Sequence, residues 1–257
     1  MTSEPILQVK NVNKAFGGVQ ALMNLSFSVS EGEVFGVIGP NGSGKTTLIN
    51  CITGFIKMDS GKVFYRDREI TGQAPHKIAN LGITRTFQIM RPYYSLPAYK
   101  NLIVPLFSPR AKRTGGWRGG GKLGDRDTVG IDILEEIGFE RDSFVPYKLA
   151  SSLPTGYLKR LELARCLALR PEVIMCDEVF SGLSMSEIAS MVPLIEKLQL
   201  EGLTLIMIEH RLRELFRVAN RVMVLNFGEK IAEGIPEEVM EDENVKQAYL
   251  GSEQSLH

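Results

Sequence analysis

The chain has 257 residues, enough for one large domain or a domain with a lobe. Lysine plus arginine equals aspartate plus glutamate at 30 each, so no global field argues for nucleic acid as a partner. At 44% hydrophobic and 23% charged the composition is that of an ordinary globular protein, and no apolar run approaches the roughly eighteen residues that span a bilayer.

The opening residues, Met1 to Pro5, lack the basic and apolar regions of a signal peptide. Residues 6–12 and 25–29 alternate apolar and polar, as half-buried strands do. A third strand, 34–38, leads into Gly39-Pro40-Asn41-Gly42-Ser43-Gly44-Lys45-Thr46, which matches G-x-x-x-x-G-K-[ST]. Thr47 and the residues after it have helical character. Gly39, Gly42 and Gly44 let the backbone form a concave nest of N–H donors at a helix N-terminus, where the dipole favours anions. Lys45 is then placed for β- and γ-phosphates, and the Thr46 hydroxyl for Mg²⁺. In a P-loop, Asn41, Ser43 and Thr47 complete the phosphate cradle.

A strand at 63–65, a helix at 75–81 opened by Pro75, and a strand at 83–87 ending at Gln88 come next. After Met90 the texture turns helical, at 97–107 and 131–137. Between these lies 110–126, rich in Gly, Lys and Arg, whose composition predicts a mobile loop with nothing to pack. From 155 to 169 a helix is clear. Strands at 173–176, 203–208 and 221–225 then alternate with helices at 185–200 and 212–219, a parallel α/β pattern, with Pro193 expected to kink the longer helix. A strand at 230–233 and short helices to 250 close the chain.

The strand at 173–176 runs into Asp177 and Glu178. Beside a P-loop such a pair can hold Mg²⁺ (Asp177) and polarise the attacking water (Glu178), and the strand is expected to lie next to the P-loop strand. His210, at the end of another strand, should point at the same face. Cys166 and Cys176 read as buried thiols of a reducing cytosol, and the three cysteines have no metal-like spacing.

Together these features resemble the nucleotide-binding subunit of an ABC transporter, over about residues 7–250. The closer likeness is to the first ATPase of branched-chain amino-acid importers, the LivG type. It is carried by Ile83-Thr84-Arg85-Thr86-Phe87-Gln88, by Arg160-Leu161-Glu162-Leu163-Ala164-Arg165, by Ile208-Glu209-His210-Arg211, and by Ile231-Ala232-Glu233-Gly234 through Ala248-Tyr249-Leu250-Gly251. The fold implied is an ABC-type P-loop NTPase core with an N-terminal antiparallel β subdomain (1–89 and 151–257) and a helical subdomain insert (90–150) carrying a flexible loop at 108–127. The resemblance implies that Phe16 stacks on adenine, that Gln88 touches Mg²⁺ and the membrane subunit, and that Asp177 and Glu178 are the Walker B pair. It also makes His210 the switch histidine and Lys45 a catalytic contact.

The implied activity is ATP hydrolysis with ATP and Mg²⁺, powering uptake of branched-chain amino acids or related small solutes. The implied partners are integral-membrane permease subunits, a second ATPase subunit and, indirectly, a solute-binding protein, with the chain peripheral on the cytoplasmic face. Two departures stand out. The family's Leu-Ser-x-Gly-Gln signature reads Leu153-Pro154-Thr155-Gly156-Tyr157, and Val179 and Ser184 replace the usual Pro and Asp after Walker B. A degraded signature favours a heterodimer over a homodimer. The alternatives are an ATPase of a lipid-transport or export system, or a non-transport ABC ATPase.

Overall fold

The computed structural model describes residues 5–114 and 126–253. Its N-terminal part is a four-stranded antiparallel sheet in the order β2-β1-β4-β5, from β1 (Pro5–Phe16), β2 (Val19–Ser30), β4 (Ser60–Tyr65) and β5 (Arg68–Glu69). β1 and β2 are longer than the sequence suggested. Register shifts between Val9 and Ala15 break the period-two alternation there, which hides the strand from pattern reading. The hairpin closes with Phe16 opposite Val19.

The second sheet has six strands in the order β10-β9-β3-β8-β7-β6: β3 (Val34–Ile38), β6 (Ile83–Arg85), β7 (Val173–Asp177), β8 (Thr204–Ile208), β9 (Arg221–Asn226) and β10 (Glu229–Gly234). All its pairings are parallel except that of β10 with β9. The order corrects one expectation. β7 does not adjoin the P-loop strand β3, because β8 pairs with both and lies between them. β3 thus lies between β9 and β8, and β8 is the strand that leads to His210.

β3, β7 and β8 are buried along their whole length, which is why each reads as a continuous apolar run. Alternate residues serve two cores. Phe35, Val37, Met175, Ile206 and Met223 pack toward α1 (Lys45–Ile52), α2 (Pro75–Leu81) and the antiparallel sheet. Ile38, Ile174, Cys176, Met207 and Val224 face the other side. That side is covered by the helices from the second half of the chain and the insert: α5 (Arg126–Glu136), α6 (Thr155–Leu167), α7 (Met185–Leu200) and α8 (Leu212–Val218). α7 runs through Pro193, which lies on its exposed face. Two short helices, α9 (Pro236–Glu241) and α10 (Glu243–Glu253), end the described chain.

The insert contains a 3₁₀ turn at Tyr99–Leu102 followed by α3 (Ile103–Leu106) and α4 (Pro109–Arg113). α4 corrects the reading of 108–127 as a featureless loop. Ser108 caps it by accepting from the Ala111 N–H (3.1 Å), and Arg110 is buried. Arg110 donates to the carbonyls of Leu81 and Arg170 (2.6 Å for the latter) and to Glu172 Oε1 (2.7 Å). The Arg126 end belongs to α5, and 115–125 fall outside the described residues. The three cysteines are buried and free.

Candidate functional site

The phosphate loop grows out of β3. A Cβ at Gly39 would sit 2.0 Å from the Leu225 carbonyl oxygen, and one at Gly44 2.4 Å from that of Ala21. Both residues also have positive φ, so only glycine fits either place. Gly44 is the N-cap of α1 and offers no side chain to its first-turn N–H groups, which leaves them to an anion. Asn41, Gly42 and Thr46 are exposed, and Gly44 and Thr47 half-buried. Ser43 differs: it is buried, and its Oγ has no hydrogen-bond partner.

Lys45 is buried and folded back on its own loop, donating to the carbonyls of Gly39 (2.7 Å) and Pro40 (2.9 Å). Burial lowers its pKa, while Glu178 and Asp177 pull it up. The ammonium is therefore poorly solvated and suited to an anionic partner.

Asp177 ends β7 and is fully buried. Its N–H donates to Thr86 Oγ1 (3.0 Å), and its Oδ2 pairs with Arg85 Nη2 at 2.9 Å. Its Oδ1 is buried without a partner. Burial raises its pKa, with Arg85 the main opposing influence. That orphaned carboxylate oxygen and the exposed Thr46 hydroxyl are hard donors of the kind that Mg²⁺ takes.

Glu178 lies one residue past the strand, at φ +54°, in the left-handed region that non-glycine residues avoid. Its N–H donates to the Ile208 carbonyl (3.0 Å), and its own carbonyl accepts from the buried Lys159 Nζ (2.8 Å). The carboxylate takes Gln88 Nε2 at 3.0 Å on Oε2 and lies 3.2 Å from His210 Nε2 on Oε1. Three residues singled out in the sequence thus meet at one carboxylate. Because the Gln88 Nε2 is committed to Glu178, its amide oxygen is the atom left for a cation.

Phe16 lies at the hairpin tip, 48% exposed, with Lys14 Nζ 5.2 Å from its ring centroid. The Ala21 carbonyl that a Cβ at Gly44 would meet is on the next strand of the same hairpin, so the hairpin packs against the phosphate loop.

The altered signature starts α6. Pro154 is its N-cap and supplies no side-chain hydrogen bond. A Cβ at Gly156 would lie 2.3 Å from Glu187 Oε1. Glu187 itself closes a capping box with Ser184, so Ser184 starts α7. Tyr157 is half-buried and packs edge-on against the core residue Phe139, with centroids 4.9 Å apart.

Sequence reasoning gave no role to Arg85, Thr86, Lys159 or Glu209. Glu209 precedes His210, is 2% exposed, and accepts the Phe180 N–H at 3.0 Å. Burial pushes its carboxyl up to about 8.

A nest of backbone donors, a buried lysine, an orphaned aspartate oxygen and a glutamate held by Gln and His define a site for a nucleotide and its hydrolysis. The chain belongs to the ABC transporter family, as one of its ATP-binding cassettes: the ABC transporter family model matches residues 22–181. A second model, described as branched-chain amino acid ATP-binding cassette transporter, matches 229–254. Among relatives, the chain is 36% identical to the high-affinity branched-chain amino acid transport ATP-binding protein LivG of Salmonella typhimurium, over 97% of this chain and 99% of that one. It is 35% identical to BraF of Pseudomonas aeruginosa, with the same coverage. Among solved structures, a nucleotide-free ATP-binding cassette of an ABC transporter superposes with a TM-score of 0.82 at 32% identity, over 95% of this chain and 98% of that one. A cassette of an ABC transporter in its ADP conformation gives 0.82 at 33%, over 96% and 99%.

Proposed function

We propose that this ABC ATPase powers an importer of branched-chain amino acids or related small solutes. The names of its near full-length relatives and the match at 229–254 support that solute class. Phosphates would lie on the nest from Gly39 to Thr47, with Lys45 turning from its loop carbonyls to the β- and γ-phosphates and Phe16 under the base. Thr46, Asp177 and the Gln88 amide oxygen would hold Mg²⁺, whose charge would offset that of the phosphates. Glu178 would take the proton of the attacking water. His210 and Gln88 fix its two oxygens beforehand, so little reorganisation remains at the moment of reaction. The meeting of Gln88 and His210 on Glu178 carries this reading.

The membrane partner has a candidate seat. A groove of about 430 Å³ lies between α2, α3 and α6, walled by Phe87, Val104, Phe107 and Leu169. The exposed Phe87 and Ile89 flank Gln88 in the chain, and the exposed Tyr93 and Tyr94 follow after Pro92. A permease segment seated there would press on the stretch that carries Gln88 to Glu178, placing the chain peripherally on the membrane. Among the described residues no helix is long and apolar enough to cross it. Pro154 supports a second ATPase subunit different from this one, because it has no hydroxyl to offer a phosphate across a dimer interface.

Replacement of Glu178 by Gln keeps the shape and the contact with Gln88 but removes the proton acceptor. Turnover should fall by about 10²–10⁴-fold while binding of a fluorescent ATP analogue stays within about threefold, a difference worth less than 1 kcal/mol. Parental turnover in the Glu178→Gln variant would remove Glu178 from this role.

A further inference from the structure

Arg85 is bound on all sides. Its side chain is 7% exposed. Nη2 reaches Asp177 Oδ2 at 2.9 Å, Nη1 reaches Asn50 Oδ1 at 2.5 Å, and Nε reaches the Thr86 carbonyl at 3.2 Å. The guanidinium carbon lies 4.8 Å from the ring centroid of Phe87 and 5.5 Å from that of Phe55, and these two rings meet edge-on. One planar cation therefore joins α1, which begins in the phosphate loop, to the end of β7 and to the residue before Gln88.

The pairing fixes which oxygen of Asp177 is spent. Oδ2 is taken by Arg85 and the backbone N–H is taken by Thr86, while Oδ1 is left buried and unpartnered. A buried carboxylate with no counter-charge is strongly unfavourable, so a cation on one side is needed before a metal arrives on the other. Lysine could supply the charge but not two divergent hydrogen bonds to Asp177 and Asn50 in one plane.

We infer that Arg85 is the positioning residue that turns Asp177 so that its free oxygen faces the metal of the bound nucleotide, locking that orientation to the phosphate-loop helix through Asn50. This rests on the reading of Asp177 as a metal-binding carboxylate. Arg85 is not a catalytic residue: its polar contacts are to the chain, and its effect passes through Asp177. Second-layer groups of this kind govern metal affinity more than nucleotide affinity.

The test is the ratio of affinities for a fluorescent ATP analogue measured with saturating Mg²⁺ and with EDTA, on the full chain, for the parent, Asp177→Asn, Arg85→Gln and Arg85→Lys. Asp177→Asn should abolish the gain from Mg²⁺. Arg85→Gln should reduce that gain roughly tenfold, the effect of losing one buried charge-assisted bond, with affinity in EDTA unchanged. Arg85→Lys should fall between the parent and Arg85→Gln. A parental ratio in Arg85→Gln beside a collapsed ratio in Asp177→Asn overturns the role of Arg85 and leaves the metal site standing. A parental ratio in Asp177→Asn overturns the metal-site reading itself. Equal losses with Mg²⁺ and with EDTA in Arg85→Gln mean general damage to the pocket and also overturn the proposal. If Arg85→Gln does not fold, Arg85→Lys decides, because a parental ratio there refutes the need for the paired geometry.

Discussion

Glu209 places an acid where water does not reach. It accepts the Phe180 N–H, and Lys159 and Glu178 are the charged groups that act on it. Burial, the dominant influence, lifts its carboxyl from 4.5 to about 8, so the native chain holds a proton that the unfolded chain releases. Between those two values the unfolded state binds fewer protons, and stability falls as pH rises through the window. A Glu209→Gln variant keeps an oxygen for Phe180 and carries no charge at any pH. Its stability advantage over the parent should therefore grow between about pH 5 and pH 8.5. The growth should reach up to a few kcal/mol, since each tenfold difference in proton affinity between the two states is worth about 1.4 kcal/mol. Urea unfolding at the two pH values measures this, and a constant difference would show that Glu209 titrates normally. The same residue explains what the sequence hid. The phosphate loop, Gln88, Asp177, Glu178 and His210 are legible because each lies in a short motif with its own spacing. Glu209, Lys159 and Arg85 act on partners 29, 19 and 92 residues away, and no local pattern announces such pairs.

At the scale of elements, α4 joins insert to core, with the buried Arg110 at the centre of the contact. Arg110 satisfies the carbonyls of Leu81 and Arg170, which follow or end α2 and α6, and pairs with Glu172 just before β7. The contact also accounts for Gly82, since a Cβ there would lie 2.6 Å from the Arg110 guanidinium carbon. Composition alone reads this arginine as one more charge in a basic glycine-rich run, and only its three-sided burial shows otherwise. Arg110→Met should destabilise the protein by about 2–4 kcal/mol, since carbonyls and a carboxylate lose a charged donor. At roughly 2–4 °C per kcal/mol for a chain of this size, the melting temperature should drop by about 5–15 °C, with nucleotide affinity retained. A melting curve like that of the parent would return α4 to the status of a dispensable loop. Strand order was illegible for a related reason. Runs of apolar residues reveal that β3, β7 and β8 are central, but not that β8 lies between the other two.

Across the whole molecule, two cores share one sheet, and its parallel strands deliver Gly39, Asp177 and His210 past the same edge. The thiols are distributed over this architecture: Cys51 in α1, Cys166 in α6 and Cys176 in β7, each almost without exposure. Burial pushes Cys51 up to about 11 and Cys166 to about 12, and Cys176 also rises well above its ordinary value. Near-complete burial and the raised pKa values leave almost no reactive thiolate in the closed fold, so alkylation must wait for the chain to open. Each cysteine is then a stopwatch for the excursions of its own element, with no label added. Nucleotide at a hundred times its dissociation constant should slow modification of Cys51 about a hundredfold, if α1 opens only when the phosphate loop is empty. Mass spectrometry of the alkylated peptides over time reads all three clocks at once. A Cys51 rate indifferent to ATP would mean that the helix breathes while its nucleotide stays bound.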